Sequence, residues 1–180
     1  MLEIKSGWLS STDSIVRQVP TKRFGSRPSG TIISLIVIHF ISLPPKRFGG
    51  HYVDNLFTGN LDENAHPYFK DVAPLEVSTH LFINRKGQIT QFVSFLDRAW
   101  HAGRSSYNGH KECNDYSIGI ELEGCEDCEY TIEQYKTLKE VVTLLKDTYK
   151  EIGNNIAGHD EVAPGRKTDP GPLFDWSSIR

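Results

Sequence analysis

The chain holds only 3 Cys and 1 Met among 180 residues. Thiols this sparse, and odd in number, exclude the disulfide scaffold that holds small secreted domains together. No stretch approaches the ~20 consecutive apolar residues that span a bilayer. The opening residues MLEIKSGWLSSTDS lack the basic-then-apolar order of a secretory leader. A cytoplasmic address with no membrane partner is expected. Blocks of one charge are missing too: 20 Lys+Arg are interspersed with 23 Asp+Glu for a formal charge of -3, which speaks against a nucleic-acid partner. With no internal repeat and no sustained heptad, a monomer is the default.

What is present fits one domain over residues 1–180. A mass of 20.3 kDa corresponds to roughly 9,000 Å² of folded surface against about 29,000 Å² extended, enough for a sizeable core. Residues 1–30 mix Ser, Thr, Arg, Gly and Pro without a period and are expected to lie across the domain as an arm. The apolar, β-branched run TIISLIVIHF, Thr31 to Phe40, predicts a central strand covered on both faces. Glu76 to Ile83 and Gln88 to Phe95 read as a hairpin, with Gly87 supplying the positive-φ turn position. Ser117 to Glu123 alternates, with Glu121 and Glu123 on one face and Ile118, Ile120 and Leu122 on the other. Thr131 can cap a helix with Gln134 three positions on, followed by a stripe of Ile132, Tyr135, Leu138, Val141, Val142, Leu145 and Tyr149. Asn155 to Gly158 suggests a short last strand, and Asp175 a final helical turn. Two long polar and aromatic excursions, Ile41 to His66 with a short helix around Val53 to Phe57, and Asp97 to Tyr116, are too long for idle connections and suggest the walls of a binding site.

Chemistry is concentrated in a few side chains. His39 stands near the end of an otherwise aliphatic strand, where an imidazole is either a ligand or catalyst, or a core histidine with its polar atoms satisfied. His159 lies in GHDEVAPGRKTDPG, a sharply turning segment carrying Lys167 and Asp169. Two imidazoles and a carboxylate are three ligands that leave zinc's fourth position open, although the spacing is looser than HExxH and also suits an ordinary charged turn. Cys125 and Cys128 have CxxC spacing, but in an acidic turn after a strand rather than at a helix N-terminus, where a thiol's pKa falls. Reduced thiols in a surface turn are the simpler reading, ahead of redox work or a structural zinc site.

The motifs HFISLPP from His39, LFTG from Leu56, AHP from Ala65, AWHAG from Ala99, CNDYSIGIELEG from Cys113 and GRKTDPGP from Gly165 occur in the order seen in AmpD-type N-acetylmuramoyl-L-alanine amidases, and the chain resembles that family from Gly7 to Trp176. The resemblance implies an α/β fold, a mixed central β-sheet flanked by helices, shared with peptidoglycan recognition proteins. It implies zinc held by His39, His159 and Asp169, with Glu121 as general base and Lys167 as the cation facing the developing oxyanion. Glu123, on the same strand face, takes a supporting role. The implied substrate is a muramyl peptide, especially the 1,6-anhydro form, cut between the lactyl group and L-alanine in cytoplasmic recycling of the cell wall. Trp100 and Tyr107 are candidates to stack on it. The alternative is a non-catalytic binder of peptidoglycan fragments. The chain departs from the family pattern at Phe40, where well-studied members have Asn, and at Glu76 and Glu112, where some carry Arg. Lost cations imply a different preference in the stem peptide or the sugar.

Overall fold

A computed structural model describes residues 1–180. Its strands are β1 (Leu2–Lys5), β2 (Trp8–Ser11), β3 (Val16–Gln18), β4 (Phe24–Ser26), β5 (Leu35–Ile41), β6 (Leu81–Ile83), β7 (Ile89–Gln91), β8 (Asp97–Ala99), β9 (Ser106–Tyr107), β10 (His110–Lys111), β11 (Ser117–Glu123) and β12 (Ile156–Gly158). The helices are α1 (Tyr52–Thr58), α2 (Phe69–Val72), α3 (Cys113–Tyr116), α4 (Ile132–Thr148) and α5 (His159–Val162). The main sheet has six strands in the order β12-β5-β11-β6-β7-β3. It is mixed: β12, β5, β11 and β6 run parallel, and β6 pairs antiparallel with β7. This is the sheet-and-helix architecture expected from the resemblance. The accessible surface, 9166 Å², matches the value anticipated from mass.

Alternation decides what each face of the sheet does. Ile36 and Ile38 of β5 and Ile118, Ile120 and Leu122 of β11 enter the largest core cluster, against Leu138, Val141, Val142 and Leu145 of α4. The opposite face of the same strands carries His39, Glu121 and Glu123. Helix α4 begins where its sequence signals it: the Thr131 hydroxyl accepts from Gln134 N–H at 3.1 Å, and the Gln134 side chain accepts from Thr131 N–H at 3.1 Å. Ile132 does not join the stripe; it is 83 % exposed, because position N1 points away from the sheet.

Several boundaries differ from the sequence reading. β5 starts at Leu35 rather than Thr31: residues 28–31 close a turn (Thr31 N–H to the Pro28 carbonyl, 3.1 Å), and the chain first meets its neighbours at Ser34, whose N–H donates to the Tyr116 carbonyl at 3.0 Å. The hairpin ladder shortens to β6 and β7, because Ser78 is engaged with Trp100 through both its backbone N–H and its hydroxyl. The turn itself is as anticipated, with Gly87 at φ 75° and a Cβ there falling 2.7 Å from the Glu133 carbonyl oxygen. Residues 1–30 form the β1–β2 hairpin, β3 on the sheet edge and β4 paired with β8. They are anchored by the buried Gln91 amide, which accepts from Leu9 N–H at 2.6 Å and donates to the Gly7 carbonyl at 2.9 Å.

The cysteines require a correction. Cys125 and Cys128, expected as reduced surface thiols, are joined as a disulfide, and Cys125 is buried. The turn closed by Cys128 N–H on the Cys125 carbonyl brings their Cα atoms to 5.2 Å, within bonding range. Cys113 is a free, buried thiol.

Candidate metal centre

Strand register assembles the site. Glu121 of β11 lies directly beside His39 of β5. Gly158 of β12 is level with Ile38, so His159, the first residue of α5, emerges next to His39. All three leave the carboxyl ends of parallel strands, where open α/β sheets form their crevices. Asp169 arrives from the turn after α5, which is stitched down by Asp160 N–H to the Asp169 carbonyl at 2.9 Å and by Tyr130 Oη–H to the Pro170 carbonyl at 2.8 Å. A Cβ on Gly158 would sit 2.8 Å from Pro170 Cδ, so a glycine there lets the turn close over the strand end.

The three side chains meet. His39 Nδ1 is 2.9 Å from His159 Nδ1, and each is 3.0 Å from Asp169 Oδ2. All three residues are buried, at 1 %, 4 % and 8 % exposure. His159 Nε2 lies 3.1 Å from the Ala102 carbonyl oxygen. A carbonyl only accepts, so His159 donates from Nε2, and Nδ1 is the nitrogen that faces the cluster. Burial first, then the neighbouring His159, hold the His39 pKa down at about 4, keeping this imidazole neutral near pH 7. Burial alone would raise the Asp169 pKa, but pairing with both imidazoles brings it well below the usual carboxylate range. Two imidazole nitrogens and a carboxylate oxygen thus converge on one point, the donor set that a bound cation would draw together. The group can hold a metal ion, and two imidazoles with one carboxylate fit zinc with a position left open.

Two acids on one strand differ sharply. Glu121 is buried and its Oε2 has no hydrogen-bond partner. Burial, with added repulsion from Asp169, pushes its pKa well above the ordinary value, against the opposing pull of Lys167. Glu123 is saturated instead: Oε1 accepts from Gly49 N–H at 2.5 Å and Oε2 from Arg85 N–H at 3.0 Å. Lys167 stands exposed on the turn between α5 and Asp169, near enough for its charge to act on both His39 and Glu121.

The two expected walls flank this row. One contributes Phe48, Gly49 and Val53 to a cavity of about 400 Å³ shared with Arg85 and Glu123. The other contributes Arg104, Lys111 and Glu112 to a cavity of about 440 Å³ shared with Ala163 and Arg166. Tyr107 packs on a core cluster that includes Leu35 and Val37, and Trp100 is half-buried with its backbone tied to Ser78. Phe40 packs at the edge of the main core, Glu76 is exposed, and Glu112 approaches Arg98 at 3.7 Å. Two buried residues next to the site, His101 and Asn114, fall within the expected wall Asp97 to Tyr116, but the sequence assigns neither a role. Their signal was faint: alanines at positions 99 and 102 around His101 leave room to bury an imidazole.

Comparison with known proteins adds lineage. The family model described as N-acetylmuramoyl-L-alanine amidase matches residues 29–172. The chain is 51% identical over 177 residues to the 1,6-anhydro-N-acetylmuramyl-L-alanine amidase AmpD of Citrobacter freundii, covering 98% of this chain and 92% of that protein. It is 49% identical over 177 residues to the protein of the same name from Escherichia coli K12, covering 98% and 94%. Among solved structures, a selenomethionine AmpD crystal structure superposes with a TM-score of 0.94 at 51% identity, covering 99% of this chain and 97% of the other.

Proposed function

This chain belongs to the N-acetylmuramoyl-L-alanine amidase family, and from that premise we propose that it hydrolyses the amide between the lactyl group of 1,6-anhydro-muramic acid and L-alanine. The cytoplasmic setting of cell-wall recycling is part of the proposal. The observation that carries it is the convergence of His39 Nδ1, His159 Nδ1 and Asp169 Oδ2 within 3.0 Å of one another, with the unpartnered Glu121 carboxylate in the next strand.

The metal we assign to His39, His159 and Asp169 is zinc, which supplies Lewis-acid chemistry and makes water more acidic. Glu121 takes a proton from the attacking water and returns it to the departing amine. A carboxylate whose affinity for protons is raised by burial suits both halves of that transfer. Lys167 sets its positive charge toward the carbonyl oxygen as that atom gains negative charge. Glu123 does no chemistry; by holding Gly49 and Arg85 it fixes the wall beside the reacting groups.

The test is metal-replete protein incubated with purified anhydromuramyl peptide, with mass spectrometry of the products. Separate sugar and peptide are expected from the parent. Glu121→Gln is expected to keep its zinc and lose about 10²- to 10⁴-fold in turnover, the usual worth of a positioned general base. Unchanged turnover in zinc-loaded Glu121→Gln removes that role, and a tight complex without products from the parent favours the fragment-binding alternative.

A further inference from the structure

A metal-binding imidazole is oriented by whatever its second nitrogen touches. Here one dipeptide, His101–Ala102, serves both ligands. The Ala102 carbonyl accepts from His159 Nε2 at 3.1 Å, as above, while His39 Nε2 lies 2.9 Å from His101 Nδ1. For His39 to turn a lone pair toward Asp169 and His159, its proton must sit on Nε2, and His101 Nδ1 must accept it. That places the proton of His101 on its own Nε2, which lies 3.1 Å from Ser117 Oγ, a group able to accept. Ser117, His101 and His39 therefore form a directed chain that presents one defined tautomer to the ligand cluster.

The surroundings hold this chain still. The Asn114 carboxamide oxygen accepts from His101 N–H at 3.1 Å and Ala102 N–H at 2.8 Å, pinning the dipeptide backbone, and Asn114 itself is buried. The His101 ring meets the His39 ring edge to face, with centroids 5.0 Å apart and planes at 85°. It lies on β11 over Gly119, where a Cβ would fall 2.7 Å from its Nδ1 and Cδ2. Gly119 is a matter of space here: the ring occupies the volume that a side chain would fill.

We propose that His101 is the positioning residue for His39, fixing its tautomer and ring plane so that Nδ1 is ready for the metal, without touching substrate. The proposal rests on the metal reading above. Three proteins test it: the parent, His101→Phe, which keeps a ring and loses the acceptor, and His101→Asn, whose carboxamide oxygen stands one bond from Cγ, where Nδ1 was. Zinc dissociation constants are measured by competition with a chromophoric chelator, and urea midpoints are taken on the zinc-free proteins. His101→Phe is expected to weaken zinc binding about 10- to 100-fold, the range for lost ligand-orienting partners, and His101→Asn to recover most of that loss. Unchanged affinity in His101→Phe, or equal weakening in both variants, overturns the assignment. Should His101→Phe fail to fold, Gly119→Ala displaces the ring with its chemistry intact and is expected to weaken zinc in the same sense; unchanged affinity there overturns the assignment equally. A parent that takes up no zinc overturns the metal reading and this assignment with it, an outcome distinct from a zinc-binding parent with an indifferent His101.

Discussion

At the scale of single residues, burial separates functional groups from structural ones only together with hydrogen-bond accounting. Glu121 and Glu123 are both buried, yet one leaves an oxygen unsatisfied and the other fills both with backbone N–H groups. The histidines divide similarly. His80 is fully buried, but its Nδ1 accepts from Gly119 N–H at 3.0 Å and its Nε2 donates to the Asp97 carbonyl at 3.1 Å, so it is a strut. Burial, then the charge of Arg27, drop its pKa from 6.5 to about 3. A base depressed in the folded state is protonated first in the unfolded chain. Its contribution is therefore complete above pH 6.5 and is lost as pH falls from there toward about 3. Between pH 6.5 and 5 the loss reaches at most about 2 kcal/mol. Urea unfolding of chelator-treated parent and His80→Gln at pH 7 and pH 5 reads this: the parent is expected to lose more stability than the variant, and equal losses would show that His80 is not held neutral. Little of this was visible in the sequence: His80 lies in the run Glu76 to Ile83 that reads as a strand and His101 in a polar excursion, and neither position shows what its ring nitrogens meet.

At the scale of elements, legibility followed the strength of local rules. β11 has the predicted limits because its alternation is uninterrupted over Ser117–Glu123, and α4 begins at the residue its capping box marks. β5 and the β6–β7 pair were read too long, since apolar content does not reveal where a neighbouring strand stops supplying partners. The CxxC pairing was misread because spacing alone does not show the turn that closes it. The cap of α4 has an added duty: the Thr131 hydroxyl donates to the Arg85 carbonyl at 2.8 Å, tying the helix start to the hairpin turn. Thr131→Ala removes an N-cap and that link together, and a loss of about 1–2 kcal/mol is expected. In a chain of this size that corresponds to a fall in Tm of roughly 2–8 °C. Thr131→Ser keeps the hydroxyl and should recover most of it by calorimetry. A Thr131→Ala protein that melts with the parent would show that the helix start is held by packing alone.

At the scale of the whole molecule, β5 and β11 serve two purposes: one face builds the core, and the other carries His39 and Glu121 to the point where α5 and the following turn bring His159 and Asp169. His39 is separated from His159 by 120 positions and from Asp169 by 130, so the motif carrying the last two reveals nothing of the first until the parallel register of β5, β11 and β12 is known. The resemblance to a family supplied that link where spacing could not. The arrangement also dictates what metal removal does. The main core beneath the sheet, including α4, contains none of His39, His159 and Asp169, so the chain is expected to stay folded without metal, unlike a zinc finger. A cation bound only by the folded state still stabilises by mass action, about 4 kcal/mol at a free concentration 1,000 times its dissociation constant. For a domain of this size that is roughly 8–16 °C in Tm. Calorimetry with and without a strong chelator should therefore show a fall in Tm of about that order while far-UV circular dichroism at 25 °C is unchanged, and re-addition of zinc should restore the transition. An unchanged Tm would mean that no resident ion bridges β5, α5 and the Asp169 turn. Collapse of the dichroism signal would mean that the ion, rather than the apolar face of the sheet, is what holds those segments together.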